Sequence, residues 1–351
     1  MSFQPAWMLY GATGYTGRLI VEWARKAGLS PILGGRDGAA LAALATATGL
    51  KHRVLDLHSR ADLDRGLSGI RLVLNAAGPF AITTAPLAAA CLLNSVHYLD
   101  ISSEVADFRA LYRMHERAQT SEVMLLPGVG FGVLPTDCLA LHLYQRLPRT
   151  AVLKIGTAND GGASRGTLNT LLECLRVPGV VREHGELVPA EKAGGQSWEV
   201  DLGPGGKRTL VNNPWRGDLF SAGLSTGLPH IETFFEVPWL VRKLIGNPGL
   251  TREGLGASMA RKAIQLAPVG PSAAKRAKAK SWCIAEAVDE DGRRASSVLV
   301  GPEAYDLTAQ CALYAVTRVL AGAVQTGFVT PAQLFGTAPL KDIRSWQLID
   351  R

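Results

Sequence analysis

The run AWMLYGATGYTG at residues 6–17 constrains this chain more than any other stretch. A short apolar segment ends in Gly11, Gly14 and Gly17, and residues 18–27 then carry helical spacing. Strand, glycine turn and helix in that order make a compact anion cradle. The glycines allow a tight turn, a close backbone approach to the ligand and close packing of helix on strand. The helix start then presents unpaired N–H groups to negative charge. Alone, a glycine pattern is weak evidence, so its surroundings decide the reading.

The surroundings repeat the same grammar. Residues 31–33 form a second apolar strand that stops at Gly34-Gly35-Arg36, and 39–48 a helix closed by Gly49. Residues 52–55 are a third strand ending at Asp56. Ser59-Arg60-Ala61-Asp62 has capping-box character and opens the next helix. Residues 71–74 run into Asn75-Ala76-Ala77-Gly78-Pro79-Phe80, followed by a helix with Pro86 near its first turn. Residues 96–99 are a strand ending at Asp100, 104–119 a helix, and 123–126 a strand entering Pro127-Gly128-Val129-Gly130. Such alternation predicts an α/β fold with a doubly wound parallel Rossmann sheet, whose ligand lies outside the carboxyl ends of the strands.

Beyond a helix at 136–147 the pattern changes. Residues 151–157 read as a strand and 165–175 as a helix; 198–202 and 208–211 flank a Gly-Pro-Gly-Gly turn, and 282–288 and 294–300 flank Asp289-Glu290-Asp291-Gly292. Hairpins of this kind predict a second, mixed α/β domain. The expected division is 1–148 for the dinucleotide-binding domain and 149–303 for a substrate and dimerisation domain. Residues 304–351 pack back on the first domain through an apolar helix at 304–320. The apolar stretch 231–245 has three readings: core, dimer interface or lipid contact.

Composition bounds the rest. With 351 residues, 47% apolar and 19% charged, two packed domains are affordable and general disorder is not expected. The first residues lack the basic start and apolar core of a secretory signal, and no apolar run reaches membrane-spanning length. Five scattered cysteines fit a reducing cytoplasm, and no histidine or cysteine spacing suggests a metal. Much of the net charge of +7 sits at Arg261, Lys262, Lys275, Arg276, Lys278 and Lys280. Without interleaved aromatic residues this reads as a solvated basic face, and no nucleic-acid partner is expected.

Arg36 refines the ligand. It stands about twenty residues past the glycines, where an NAD enzyme carries an acidic residue for the ribose hydroxyls; an arginine there suits a 2′-phosphate. The implied cofactor is NADP(H), although the adjacent Asp37 offers a carboxylate to a hydroxyl instead. Gly11, Thr13, Gly14, Tyr15, Thr16 and Gly17 are expected at the pyrophosphate. Asp56 is expected near the adenine, and Asn75, Ala76 and Gly78 near the ribose and nicotinamide. No tyrosine is followed four residues later by lysine, which excludes the acid catalyst of short-chain dehydrogenases, and no Gly-x-Ser-x-Gly elbow is present.

GATGYTGRL, LGGR, VLNAAGPF, HYLDISSE and PGVGFGVLPTD together resemble the saccharopine dehydrogenase-like reductases, including the bacterial trans-acting enoyl reductases. GGASRGTLNTLLE, GPSAAKRAK and AYDLTA extend the resemblance over most of the chain. It implies an NAD(P)-binding Rossmann domain with a mixed second domain, hydride transfer to C=N or C=C, and often a homodimer.

The expected function is therefore NADPH-dependent reduction of a small or acyl substrate held between the domains. Candidate catalytic residues are Glu104 and Tyr98 for proton delivery, and Arg165, beside Ser164 and Thr167 at a helix start, for an anionic substrate group. Glu104 is favoured, because a carboxyl beside an apolar nicotinamide holds its proton longer. Its competing role is to begin the following helix. The rival class is an NADP-sensing regulator of the NmrA type, which shares the glycine turn and needs no catalyst.

Overall fold

The computed structural model describes residues 6–190, 196–237 and 262–351. It divides into two compact units, Met1–Gly132 with Tyr305–Leu334, and Val133–Ala304 with Phe335–Arg351.

The first unit carries a sheet of β1 (Trp7–Tyr10), β2 (Ile32–Gly35), β3 (His52–Val54), β4 (Leu72–Asn75), β5 (His97–Asp100), β6 (Met124–Leu126) and β15 (Gly327–Phe328). The order is β15-β6-β5-β4-β1-β2-β3, and every pairing is parallel. The chain winds outward from β1 to β3, then crosses back to place β4 on the other side of β1. That reversal is the switch point where a doubly wound sheet opens a crevice. β1 and β4 are buried along their whole length, as strands covered on both faces must be, and this explains their unbroken apolar runs.

The connecting helices begin and end on local chemistry. α1 (Tyr15–Lys26) buries Leu19, Ile20, Val21 and Ala24 and finishes with Arg25 and Lys26 at its negative end. α2 (Gly38–Thr48) is capped by the Asp37 carboxylate, which accepts the Ala40 N–H at 3.0 Å, and stops at left-handed Gly49. Ser59 caps α3 (Arg60–Leu67) by accepting the Asp62 N–H. α4 (Phe80–Leu93) starts at Phe80, so Pro86 falls in its interior and not in its first turn. Proline there removes one helix bond. The acceptor left over belongs to Ile82, which is 60% exposed, so water can take the donor's place.

Residues 104–119 form not one helix but two, α5 (Val105–Tyr112) and α6 (His115–Thr120). The break lets His115 Nδ1 accept the Phe328 N–H at 3.1 Å, so a tertiary bond to the short edge strand β15 overrides helical continuity. The helix Ala304–Leu320 supplies the rest of this unit from Tyr305 onward. Its Asp306 accepts the Trp23 indole N–H at 3.2 Å, and Tyr305 lies edge-on to Tyr15 at 5.1 Å.

The second unit is built on a mixed sheet of nine strands among the described residues. β7 is Thr150–Asn159, β8 Val180–Glu183, β9 Glu186–Pro189, β10 Ser197–Asp201 and β11 Lys207–Asn212. β12 is His230–Phe235, β13 Ser281–Asp289, β14 Arg294–Gly301 and β16 Gln347–Asp350. The main path is β10-β11-β12-β7-β13-β14-β16, with β12 parallel to β7 and the other neighbours antiparallel. Trp282, Ile284, Val298, Phe234, Leu210 and Ala158 form its apolar core, so the 282–300 hairpin lies in this sheet.

The boundaries differ from the sequence expectation at both ends. α7 (Leu134–Arg146) belongs to the second unit, because Thr136 bonds Asp218, Asp137 accepts from Ser225 Oγ at 2.8 Å, and Arg146 bonds Ser297 and Asp350. Residues 335–351 also belong there, since β16 pairs with β14. Of the stretch 231–245, Ile231 and Phe234 are buried within β12, so that part is core; 238–245 lie outside the described residues. Arg261 also lies outside them, while Lys275, Lys278 and Lys280 are exposed on or just after the helix Ala273–Lys278.

Candidate dinucleotide site

The glycine turn closes onto its neighbours at the switch point. Gly11 N–H and Ala12 N–H both donate to Gly34 O, and Ala76 N–H donates to Tyr10 O, so the ends of β1, β2 and β4 are tied together. Gly11 has φ +85°, and a Cβ there would lie 2.7 Å from Ala77 N. A Cβ on Gly17 would lie 2.2 Å from Gly11 O. Both contacts are with backbone, which cannot move aside as a flexible side chain can. Gly14 takes the N-cap position of α1 with no side-chain cap, and no acidic residue lies in the first turn. The positive end of the helix is thus left for an external anion. The uncapped helix start suits a pyrophosphate, and the packed turn leaves no room for a side chain at Gly11 or Gly17.

Arg36 follows directly from β2 and is exposed. Its guanidinium makes no hydrogen bond or ion pair among the described residues. Asp37, the competing ribose partner, spends its carboxylate on the cap of α2. Asp56 accepts the His58 N–H at 2.9 Å and stays exposed at the end of β3. The Tyr10 hydroxyl senses both residues: burial pushes its pKa up, Arg36 pulls it down and Asp56 pushes it up. Arg36 and Asp56 therefore flank one edge of the sheet.

At β4 and β5 the side chains turn inward. Asn75 is fully buried; its Nδ2 donates to Tyr98 Oη at 3.1 Å and Thr83 Oγ1 at 3.2 Å, and its Oδ1 accepts the Ala77 N–H. Its side chain shapes the Ala76–Gly78 loop and is not available to a ribose, as had been expected of it. Tyr98 is likewise sealed: its hydroxyl donates to Asp100 Oδ2 at 3.0 Å, and burial raises its pKa well above the usual tyrosine value. It has no open face from which to protonate a substrate. Asp100 also accepts from Ser102 N–H, Ser102 Oγ and Gly128 N–H, which fastens the loop after β6 to β5. Burial nevertheless pushes Asp100 up to about 6, against the opposing pull of those donors.

Glu104 is half-buried and takes the N-cap position of α5 without capping it. Its carboxylate accepts instead from Ser103 N–H at 3.1 Å and Ser103 Oγ at 2.9 Å. Behind it lies Asp107, 4% exposed, which sequence reasoning overlooked because an acidic residue in a first helical turn ordinarily serves the dipole. In the second unit, Ser164 caps α8 (Arg165–Cys174) by accepting the Thr167 N–H. Arg165 Nε donates to Ala267 O at 2.6 Å, so this trio, expected to face the substrate, holds local structure. Among the described residues no group of three or more His, Cys, Asp or Glu is arranged for a metal, and no helix is long and apolar enough to cross a membrane.

A doubly wound sheet with a glycine-lined, uncapped helix start at its switch point defines the first unit as a nicotinamide-dinucleotide domain. Residues 7–126 match the model of the saccharopine dehydrogenase NADP binding domain. The cofactor of that domain is NADP. The chain is 27% identical over 214 residues to a trans-acting enoyl reductase of Mycobacterium ulcerans, covering 56% of this chain and 51% of that protein. It is 24% identical over 176 residues to a saccharopine dehydrogenase-like oxidoreductase of Bos taurus, covering 44% and 41%. The chain thus spans about half the length of the curated relatives it matches, or less. Apo saccharopine dehydrogenase (L-Glu forming) from Saccharomyces cerevisiae shares the fold, with a TM-score of 0.64 at 13% identity over 99% of both chains.

Proposed function

We propose that this protein is an NADPH-dependent reductase of a C=C bond in an acyl substrate, with a C=N bond as the alternative acceptor. The observation that carries the cofactor half is the free Arg36 guanidinium beside an uncapped glycine cradle, while Asp37 is occupied as a cap. Relatives named trans-acting enoyl reductases favour the C=C acceptor.

In this reading the Gly11–Gly17 turn, with Thr13, Tyr15 and Thr16, holds the pyrophosphate through backbone N–H groups. Arg36 forks onto the 2′-phosphate, as a guanidinium matches phosphate oxygens in pairs. Asp56 borders the adenine, and the Ala76 and Gly78 backbone borders the ribose and nicotinamide. Bound NADPH supplies the hydride, chemistry that belongs to the cofactor. The chain orients the acceptor and supplies a proton, and half-buried Glu104 is the proton donor. The resemblance of the sequence motifs supports a homodimer working in the cytoplasm, which sedimentation and cell fractionation test.

The test is loss of nicotinamide absorbance from NADPH over a panel of enoyl thioesters and cyclic imines. Turnover of an enoyl thioester is expected. Tight NADPH binding with no turnover on either class would favour a sensor instead.

A further inference from the structure

Two carboxyl groups at the start of α5 interact, and among the described residues no cation is hydrogen-bonded to either. Asp107 and Glu104 are the N3 and N-cap residues of that helix. Asp107 is buried and its Oδ2 has no hydrogen-bond partner, a costly condition for an ionised oxygen. The titratable groups that face it are Glu104, on the same turn, and Asp100 at the end of β5; both raise its pKa. No arginine, lysine or histidine among the described residues is hydrogen-bonded to any of the three. A hydrogen bond between Asp107 and Glu104 exists only when one of them holds a proton, because two carboxylates offer acceptors and no donor.

Asp100 shows what a satisfied buried carboxylate looks like in the same unit. Four donors surround it, from Tyr98, Ser102 (twice) and Gly128. Asp107 has nothing comparable. Burial, the larger cause, and the charges of Glu104 and Asp100 push it up to about 9. At neutral pH it is therefore a carboxylic acid, and Glu104 on the same turn offers carboxylate oxygens able to accept its O–H.

We propose that Asp107 and Glu104 form a carboxyl pair that shares one proton, with buried Asp107 as the positioning residue that keeps half-buried Glu104 supplied. The inference rests on the reading of Glu104 as proton donor and deepens it. As the substrate accepts hydride at one atom of its double bond, the Asp107 O–H breaks as a Glu104 O–H forms, and that Glu104 O–H breaks as a new bond to hydrogen forms at the other atom. After product leaves, one proton from water restores Asp107 through Glu104. The half-exposed member meets solvent and substrate; the buried member stores the proton where water cannot strip it.

Two variants approach the pair from opposite sides: Asp107→Asn, which keeps shape and cannot ionise, and Glu104→Gln, which removes the neighbouring charge. The primary readout needs no substrate. The infrared C=O stretch of a protonated carboxyl, in protein labelled with ¹³C-aspartate, is followed from neutral to alkaline pH. The parent is expected to lose one protonated aspartate as pH rises through about 9. Asp107→Asn should abolish that band, and Glu104→Gln should move its loss to lower pH by about one unit or more, as coupled sites require. An aspartate titration unmoved by Glu104→Gln, or a band that survives Asp107→Asn, overturns the pair. Turnover of the enoyl panel is the second readout. Its alkaline decline should shift to lower pH in Asp107→Asn while the KM for NADPH stays unchanged, which a purely structural aspartate would not produce. A panel that never turns over defeats the proposed function while leaving the infrared result to judge the pair.

Discussion

The two halves of the first sheet's carboxyl edge use polar side chains in opposite ways. Around β1, β2 and β3, the glycine turn, Arg36 and Asp56 face outward, and the groups around them are satisfied elsewhere, as the Asp37 cap shows. Around β4, β5 and β6, Asn75, Tyr98 and Asp100 are consumed by bonds to one another and to the Ala77, Ser102 and Gly128 amides. Polar residues at strand ends thus serve two ends: some meet a ligand, others hold the loops that do. Which role a residue has is decided by its hydrogen-bond partners and not by its position in the motif.

The sharpest way to break the comparison is at the cradle. Gly17→Ala places a Cβ against backbone oxygen, so NADPH affinity measured by fluorescence titration should fall at least about 100-fold, with a stability loss of about 3 kcal/mol or more from overpacking. Retained affinity would mean that the turn is not the pyrophosphate site. Next in size is Glu104→Gln, for which turnover should drop by about 10²–10⁴ with NADPH binding unchanged. Near-normal turnover would return Glu104 to a merely local bond with Ser103.

The inward half is tested by two buried carboxyls expected to behave in opposite senses. Asp100→Ala strands the Gly128 and Ser102 donors and should cost about 3 kcal/mol or more in denaturant unfolding. Asp107→Asn should stabilise. The folded Asp107 keeps its proton up to about 9, whereas the unfolded chain releases it near its ordinary value of about 4. Between those values the folded state binds the extra proton, so stability falls as pH rises, by up to about 1.4 kcal/mol per pH unit. Removing the group removes that slope, and the melting temperature of the variant should exceed the parent's by a margin that widens as pH rises from about 4 and levels off above about 9. A margin that is flat with pH contradicts a protonated Asp107.

Much of the outward half was legible in sequence because its cause is local. A glycine turn, a Ser59 cap and an arginine after a strand are each written in a few adjacent residues, and the structure realises them within a residue or two. The inward half was not, because its causes are long-range. Nothing near Asn75 announces Tyr98 as its partner, and nothing near Asp107 announces its burial. The break between α5 and α6 depends on an amide more than two hundred residues away in sequence, at Phe328. The fate of α7 likewise depends on Asp218 and Asp350. Arg165 looked like a substrate ligand for the same reason: its acceptor, the Ala267 carbonyl, is invisible to local patterning.

The smallest expected effect bears most directly on the central claim, that the outward half is an NADP site with Arg36 as its discriminator. Calorimetric titration of the parent and of Arg36→Ala with NADPH and with NADH measures it. The parent should prefer NADPH, and the variant should lose about 1.5–3 kcal/mol of affinity for NADPH, with little change for NADH, because only the contact with the 2′-phosphate is removed. Equal affinity of the parent for both cofactors, or an equal loss for both in the variant, would contradict the account.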